Sequence, residues 1–212
     1  MKNGYLPKHA GKVAVVAAML AATVYFTMVS VTLAHLEVVS GQQPFDMRPF
    51  GYSPTDAATL LDALGMAGRK YYLSHQIPLD MLYPALLALT LSNTIFWFGS
   101  RMPNRRFVRL GVTLSVSSGL FDYIENFGIV AIIRSWPDVP DYVVYATSTA
   151  TISKSLTTTL AVTLAVLTGL LWSRQAKAGH GNHRRGGCFV TRSHPRNLLS
   201  IARLKSASSR VR

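Results

Sequence analysis

Four long apolar stretches constrain this chain more than any motif does: Val13 to Leu36, Ile77 to Gly99, Leu110 to Ile133 and Tyr142 to Trp172. A helix needs about 20 largely apolar residues to cross the hydrocarbon core of a bilayer, and each stretch reaches or approaches that length. In lipid, backbone polar groups must find partners inside the protein, so segments of this kind span as helices. The expectation is an all-α fold, a four-transmembrane-helix bundle, over residues 1–173. Composition agrees, because 49% of the 212 residues are hydrophobic and only 15% are charged, a balance that disfavours a soluble globular domain. The first stretch also admits a cleaved secretory signal, since Lys2, Lys8 and Lys12 precede it and Thr32-Leu33-Ala34 offers a small-residue site. Its apolar run exceeds the roughly 7 to 15 residues of a signal-peptide core, which favours an uncleaved anchor.

Charge is unevenly placed. The formal net charge is +13, and residues 174–212 hold ten Lys or Arg and no acid. This stretch has no sustained apolar period and reads as a basic, disordered tail. Next to a membrane helix it is drawn to anionic lipid headgroups, by about 1 kcal/mol per basic residue near the surface. Nucleic acid, the other available polyanion, is the weaker candidate for a chain held at a bilayer. Basic residues also flank the N-terminus and the loop after span two, at Arg101, Arg105, Arg106 and Arg109. The loop between spans one and two balances Arg48, Arg69 and Lys70 against Glu37, Asp46, Asp56 and Asp62, and the loop between spans three and four sets Arg134 against Asp138 and Asp141. The positive-inside rule then places both termini in the cytoplasm of a multi-pass integral membrane protein.

The long outer loop carries a helix start: Ser53 as N-cap, Pro54 at the first helical position and Asp56 in the first turn. Ala57, Leu60, Leu61 and Leu64 follow at helical spacing, and Gly65 or Gly68 supplies a stop. The pattern predicts a short amphipathic helix, lying on the outer membrane face or capping the bundle.

Span three breaks the apolar rule with Asp122, Glu125 and Asn126. Their i, i+3, i+4 spacing puts all three on one helix face, and a charge in lipid is costly enough that this face should meet protein or water. Span four offers Lys154 in a stretch where nine of the thirteen residues from 147 to 159 are Ser or Thr. Counted from the outer ends at about 1.5 Å per residue, Lys154 and Asp122 reach similar depth, so an ion pair is geometrically open. His35 and Glu37 at the end of span one and Asp80, a turn before the donor-less Pro84, could form the mouth of the same cavity, with Arg69 just outside as a countercharge. These six residues, Asp122, Glu125, Asn126, Lys154, Asp80 and Arg69, are the candidate ligand-binding set. The competing structural reading is that the polar groups only register helices. No cofactor fingerprint appears, His35 and the tail histidines lack metal-ligand spacing, and the single Cys188 cannot form an internal disulfide.

Gly65-Met66-Ala67-Gly68-Arg69-Lys70-Tyr71-Tyr72, Pro78-Leu79-Asp80 with Tyr83-Pro84, and Asp122-Tyr123-Ile124-Glu125-Asn126 together resemble a pattern in uncharacterised small multi-pass membrane proteins. The resemblance covers roughly residues 50–135 and implies the fold without any chemistry. More distantly, four helices with inward acids and an Asn resemble the sterol-isomerase-like membrane fold. That likeness implies buried carboxylates that stabilise a cationic intermediate, although no histidine accompanies the acids of the bundle here. Three functions stay open: a protein that binds or carries a small polar or lipid ligand, a membrane enzyme that uses a buried carboxylate on a lipid, and a non-catalytic assembly subunit with a membrane-protein partner.

Overall fold

A computed structural model of the chain describes residues 9–99 and 105–185, with side chains to residue 174. The chain divides into a unit from Met1 to Gln175 and a second from Ala176 to Arg212. The basic tail from residue 186 onward lies outside the described residues. Within the second unit, the backbone is helical as far as Arg185.

The described residues are helical throughout apart from short connections, and they contain no strand. Helix α1 (Ala10–Thr27) passes through a π-helical turn, Met28–Leu33, into α2 (Ala34–Ser40). Helix α3 (Pro54–Tyr71) likewise passes through a π turn, Tyr72–Gln76, into α4 (Ile77–Gly99), and α5 (Arg105–Ser135) and α6 (Asp141–Arg185) follow. Among the described residues, four helical stretches are long and apolar enough to cross a membrane: Ala10–Ser40, Pro54–Gly99, Arg105–Ser135 and Asp141–Arg174.

The buried positions explain why these helices pack. On α5 they include Gly111, Ser115, Ser118, Asp122, Glu125, Ile129 and Ile132, alternating steps of four and three, with Gly119, Asn126 and Ile133 beside them. On α6 Val144, Thr147, Thr151, Ala161, Ala165 and Thr168 fit the same rhythm, with Lys154 and Thr158 at its intermediate steps. A repeat of 3.5 residues keeps one seam turned toward a neighbour along its length. Much of that seam is small: Ala10, Ala14, Ala17 and Ala21 on α1 and Gly119 on α5, where a Cβ would stand 3.4 Å from the Pro84 carbonyl oxygen. In lipid there is no hydrophobic drive to bring helices together, so close backbone approach through small residues supplies dispersion contact instead. Along the spans many large apolar side chains, among them Phe26, Leu120, Phe127 and Leu156, are exposed, as a lipid-facing surface requires.

At one end, here the loop end, a compact apolar core covers the seam. Phe45, Leu60, Leu61, Leu64, Tyr72, Ile129, Ile132 and Val144 are buried there together. The helix expected between spans one and two is not a separate element. Ser53 does start it with a full capping box to Asp56, and Gly65 interrupts it in a backbone conformation (φ 60°, ψ −173°) that side chains disfavour. The chain then resumes its helical path into α4, because the Leu face of α3 is buried in the core. Arg69 ties the two sides of the break together. Its Nη1 donates to the carbonyl of Leu61, in the last turn before the interruption.

Candidate functional site

Four elements converge below the loop-end core. α5 contributes Asp122, Glu125 and Asn126, with Glu125 and Asn126 fully buried and Asp122 4% exposed. α6 contributes Lys154, whose Nζ lies 3.3 Å from Asp122 Oδ1 and also pairs with Glu125 Oε2. The ammonium therefore bridges two carboxylates one helical turn apart. Thr151, one turn from Lys154, donates its hydroxyl to Glu125 Oε1 at 2.8 Å. The hydroxyls of α6 that reach other elements are those of Ser148, Thr151 and Thr158. Most of the other hydroxyls, such as those of Thr149, Thr157, Thr159 and Thr163, bond back to the carbonyl four residues earlier, the usual way for a Thr to satisfy itself in a helix.

The third helix, α4, brings Asp80, 3% exposed. Proline at position 84 has no N–H, so the Asp80 carbonyl loses its donor one turn on. Asn126 replaces it: its Nδ2 donates to Asp80 O at 2.9 Å. A carbonyl only accepts, which fixes the orientation of the amide and leaves Asn126 Oδ1 without a donor. The structure thereby couples two residues on different helices. Replacing Asn126 with Leu is expected to cost about 1 to 3 kcal/mol by stranding the Asp80 carbonyl. In a Pro84→Ala background, where the backbone N–H returns, the same replacement should cost far less. A double-mutant cycle of unfolding in bicelles measures this, and equal costs in both backgrounds would refute the pairing.

The fourth element was not anticipated from sequence. The loop between α2 and α3 folds inward and delivers Asp46 and Tyr52. Asp46 accepts a hydrogen bond from the Tyr72 hydroxyl, and its side chain comes within reach of the Asp80 carboxyl. Tyr52 is seated by its backbone N–H, which donates to Ser148 Oγ on α6 at 2.8 Å. Its ring packs against that of Phe45 in a tilted arrangement, with centroids 4.7 Å apart. Burial pushes the Tyr52 phenol well above its ordinary pKa, with the nearby Glu125 and then Asp46 adding to the effect, so the phenol is a neutral group. Nearby, the two π turns pack on each other, and the Thr32 hydroxyl donates to Gln76 Oε1 between them. π-Helical turns recur at functional sites because the extra residue disturbs the regular ladder and re-aims side chains.

Of the six residues singled out in the sequence, five come together: Asp80, Asp122, Glu125, Asn126 and Lys154. Arg69 does not join them. Its guanidinium is engaged by Leu61 O and lies over the Trp136 ring, 5.8 Å from the centroid, which makes it a brace for the α3 break. His35 packs tilted against Tyr71, and Tyr71 stacks on His75, each with ring centroids 4.3 Å apart. Among the described residues, no three His, Cys, Asp or Glu side chains converge as a metal-ligand set.

The additional members are Asp46, Tyr52, Tyr72, Thr151 and Ser148. Ser148 and Thr151 fall in the Ser- and Thr-rich stretch of span four, and the signal for Asp46 and Tyr52 was the Pro-, Gly- and aromatic-rich run from Pro44 to Tyr52, which suits an ordered loop and says nothing of where the loop docks. Chemically the cluster is an oxygen-rich interior: four carboxyl groups, at Asp46, Asp80, Asp122 and Glu125, face the single ammonium of Lys154. Comparison of the chain with protein-family models, with curated proteins and with solved structures finds no match, so what the site can do has to be argued from these atoms.

Proposed function

We propose that this protein is a multi-pass membrane carrier or binding protein whose buried acid and lysine cluster holds a small polar ligand, with both termini on the cytoplasmic side. The observation that carries this reading is the mismatch of charge and hydrogen bonding inside the bundle. Lys154 is matched to Asp122 and Glu125, whereas among the described residues the fully buried Asn126 Oδ1 has no donor and the remaining oxygens of Asp46 and Asp80 have only each other's carboxyl group. A cluster whose only task was to register helices would be expected to satisfy its own atoms, since an unsatisfied buried group costs about 1 to 3 kcal/mol. Ionisable groups within spans mark ligand or ion paths more often than they mark glue. The Arg-rich loop and tail on one side, against balanced loops on the other, support the orientation. The ten basic residues of the tail favour contact with anionic lipid on that same side.

Native mass spectrometry of the full chain released from detergent tests the reading. A reproducible small-molecule or ion adduct is expected on the wild type. It should fall at least tenfold in Glu125→Gln, which keeps the side-chain shape and the Thr151 contact. A wild type without any adduct, or a variant that retains it in full, rejects the proposal.

A further inference from the structure

We infer that the exposed cluster of His35, Lys70, Ser74 and His75, where α2 meets α3 and the π turn Tyr72–Gln76, binds the phosphate of an anionic lipid headgroup in the leaflet at the loop end. This surface is separate from the buried cluster, and the inference does not depend on the proposed carrier role.

Position along the helices sets the level. His35 and His75 each stand about 25 residues from the far ends of their helical stretches, Ala10 and Gly99, roughly 36 Å at 1.5 Å per residue and just past a hydrocarbon core about 30 Å thick. Exposed Lys12, Arg105 and Arg109 mark the other edge of that core. Below the two imidazoles Phe26, Val31, Leu82 and Leu89 are exposed on the same stretches, whereas at their level His35, Ser74 and His75 are, with Lys70 about a turn further out. Exposure thus turns from apolar to polar where lipid headgroups begin.

Two elements build the cluster. His35 from α2 and His75 from the π turn both pack on the Tyr71 ring, with centroids 4.3 Å away. Ser74 joins His75 to the last turn of α3: its hydroxyl donates to the Lys70 carbonyl at 2.9 Å and lies 2.8 Å from His75 Nδ1. The Lys70 ammonium makes no ion pair among the described residues. Glu37 lies about 200° round α2 from His35, on its other flank, and Asp80, the next acid along α4, is buried. The π turn Met28–Leu33, which packs on this one, has no ionisable group. The charged and titratable groups that remain around His75 are therefore Lys70, Tyr71 and His35, a set that suits an anion.

The hydrogen bonds of Ser74 decide how His75 takes part. A serine has one hydroxyl hydrogen, and here it goes to the Lys70 carbonyl, so both bonds exist together only if His75 donates from Nδ1. In the neutral ring Nε2 is then a bare acceptor, which a phosphate oxygen cannot use. Protonation converts it into a donor and adds a second positive charge to that of Lys70. The cluster therefore holds phosphate more tightly as pH falls through the range in which imidazoles change charge, about pH 8 to 5. A lipid is the source that fits this level, because a headgroup arrives there already anchored and its acyl chains meet exposed Val31 and Leu82 just below.

The test follows the histidine ring signals of the full chain, labelled in its imidazoles, by NMR in neutral detergent micelles during titration with short-chain phosphatidylglycerol or phosphatidylcholine. This readout is local, so lipid held by the basic tail does not enter it. The His75 signal should shift saturably with phosphatidylglycerol, about tenfold more tightly near pH 6 than near pH 8, and should not respond to phosphatidylcholine. Lys70→Gln and His35→Gln should each weaken binding severalfold, and Glu37→Gln should leave it unchanged. All three residues are exposed, and the remaining ring signals report whether each variant is folded. No saturable shift in the wild type, an equal response to phosphatidylcholine, or wild-type affinity in Lys70→Gln overturns the site. Inorganic phosphate that shifts His75 at the same concentrations would show that the cluster reads a free anion, and would overturn the lipid assignment.

Discussion

Lys154→Met is expected to destabilise the protein by about 3 to 5 kcal/mol, the loss seen when one member of a buried ion pair is removed and its partner is left charged. Two partners are stranded here. Asp122 Oδ1 lies 3.3 Å from the ammonium and Glu125 is in contact with it, and after the replacement only the Thr151 hydroxyl still donates to either carboxylate. Methionine keeps the length and the apolar stem of lysine, so packing against α5 changes little and the loss reports charge. Combining Lys154→Met with Asp122→Asn and Glu125→Gln should recover most of the stability, because the neutral cluster has no uncompensated ion. Unfolding in bicelles by chemical denaturant measures both. Additive losses in the triple variant would show that the three residues do not act as a unit. Lys154→Arg should recover only part of the loss, since a planar guanidinium cannot take the place of a compact ammonium between two carboxylates on successive turns.

This cluster also shows which parts of the molecule the sequence discloses. The polar face of α5 was legible because helical spacing alone puts positions 122, 125 and 126 together, and Lys154 was legible because counting residues from the span ends gives its depth. Pro84 and Asn126 were each visible, yet their relation was not. A proline announces a carbonyl without a donor, but only the packing of α5 on α4 decides which side chain fills the gap. Asp46 was least accessible of all. It sits in a loop, where an acid ordinarily faces water, and what turns it inward is the burial of adjacent Phe45 in the loop-end core together with the Tyr72 hydroxyl. Arg69 illustrates the opposite error. Its charge and position suggested a counter-ion at the mouth, whereas the guanidinium folds back across the break at Gly65 and donates to the Leu61 carbonyl. Helix faces follow from a local period, while loop docking and carbonyl capping depend on contacts between residues far apart in sequence, such as Tyr52 with Ser148.

Gly51→Ala should be the most damaging single-methyl change in the loop, with an expected cost of roughly 2 to 5 kcal/mol from backbone strain and overpacking together. Gly51 has φ 85°, a conformation that costs an L-residue about 1 to 2 kcal/mol. A Cβ there would also collide with Ser148 Oγ and stand 3.0 Å from Ile152 Cδ1. Ser148 Oγ is the acceptor that seats Tyr52, so relief of the collision breaks the bond that docks the loop on α6. Gly41 provides the control within the same connection: its φ is 66°, but a Cβ there meets nothing within 4 Å. Gly41→Ala therefore carries strain without collision and should cost only the smaller amount. Hydrogen exchange of the amides between residues 44 and 52 separates the two effects. It should rise sharply in Gly51→Ala, where Asp46 and Tyr52 lose their seat, and stay near wild type in Gly41→Ala. Equal costs and equal exchange would mean that the loop is not held against α6, and the acid it delivers to the interior would then have no fixed place beside Asp80.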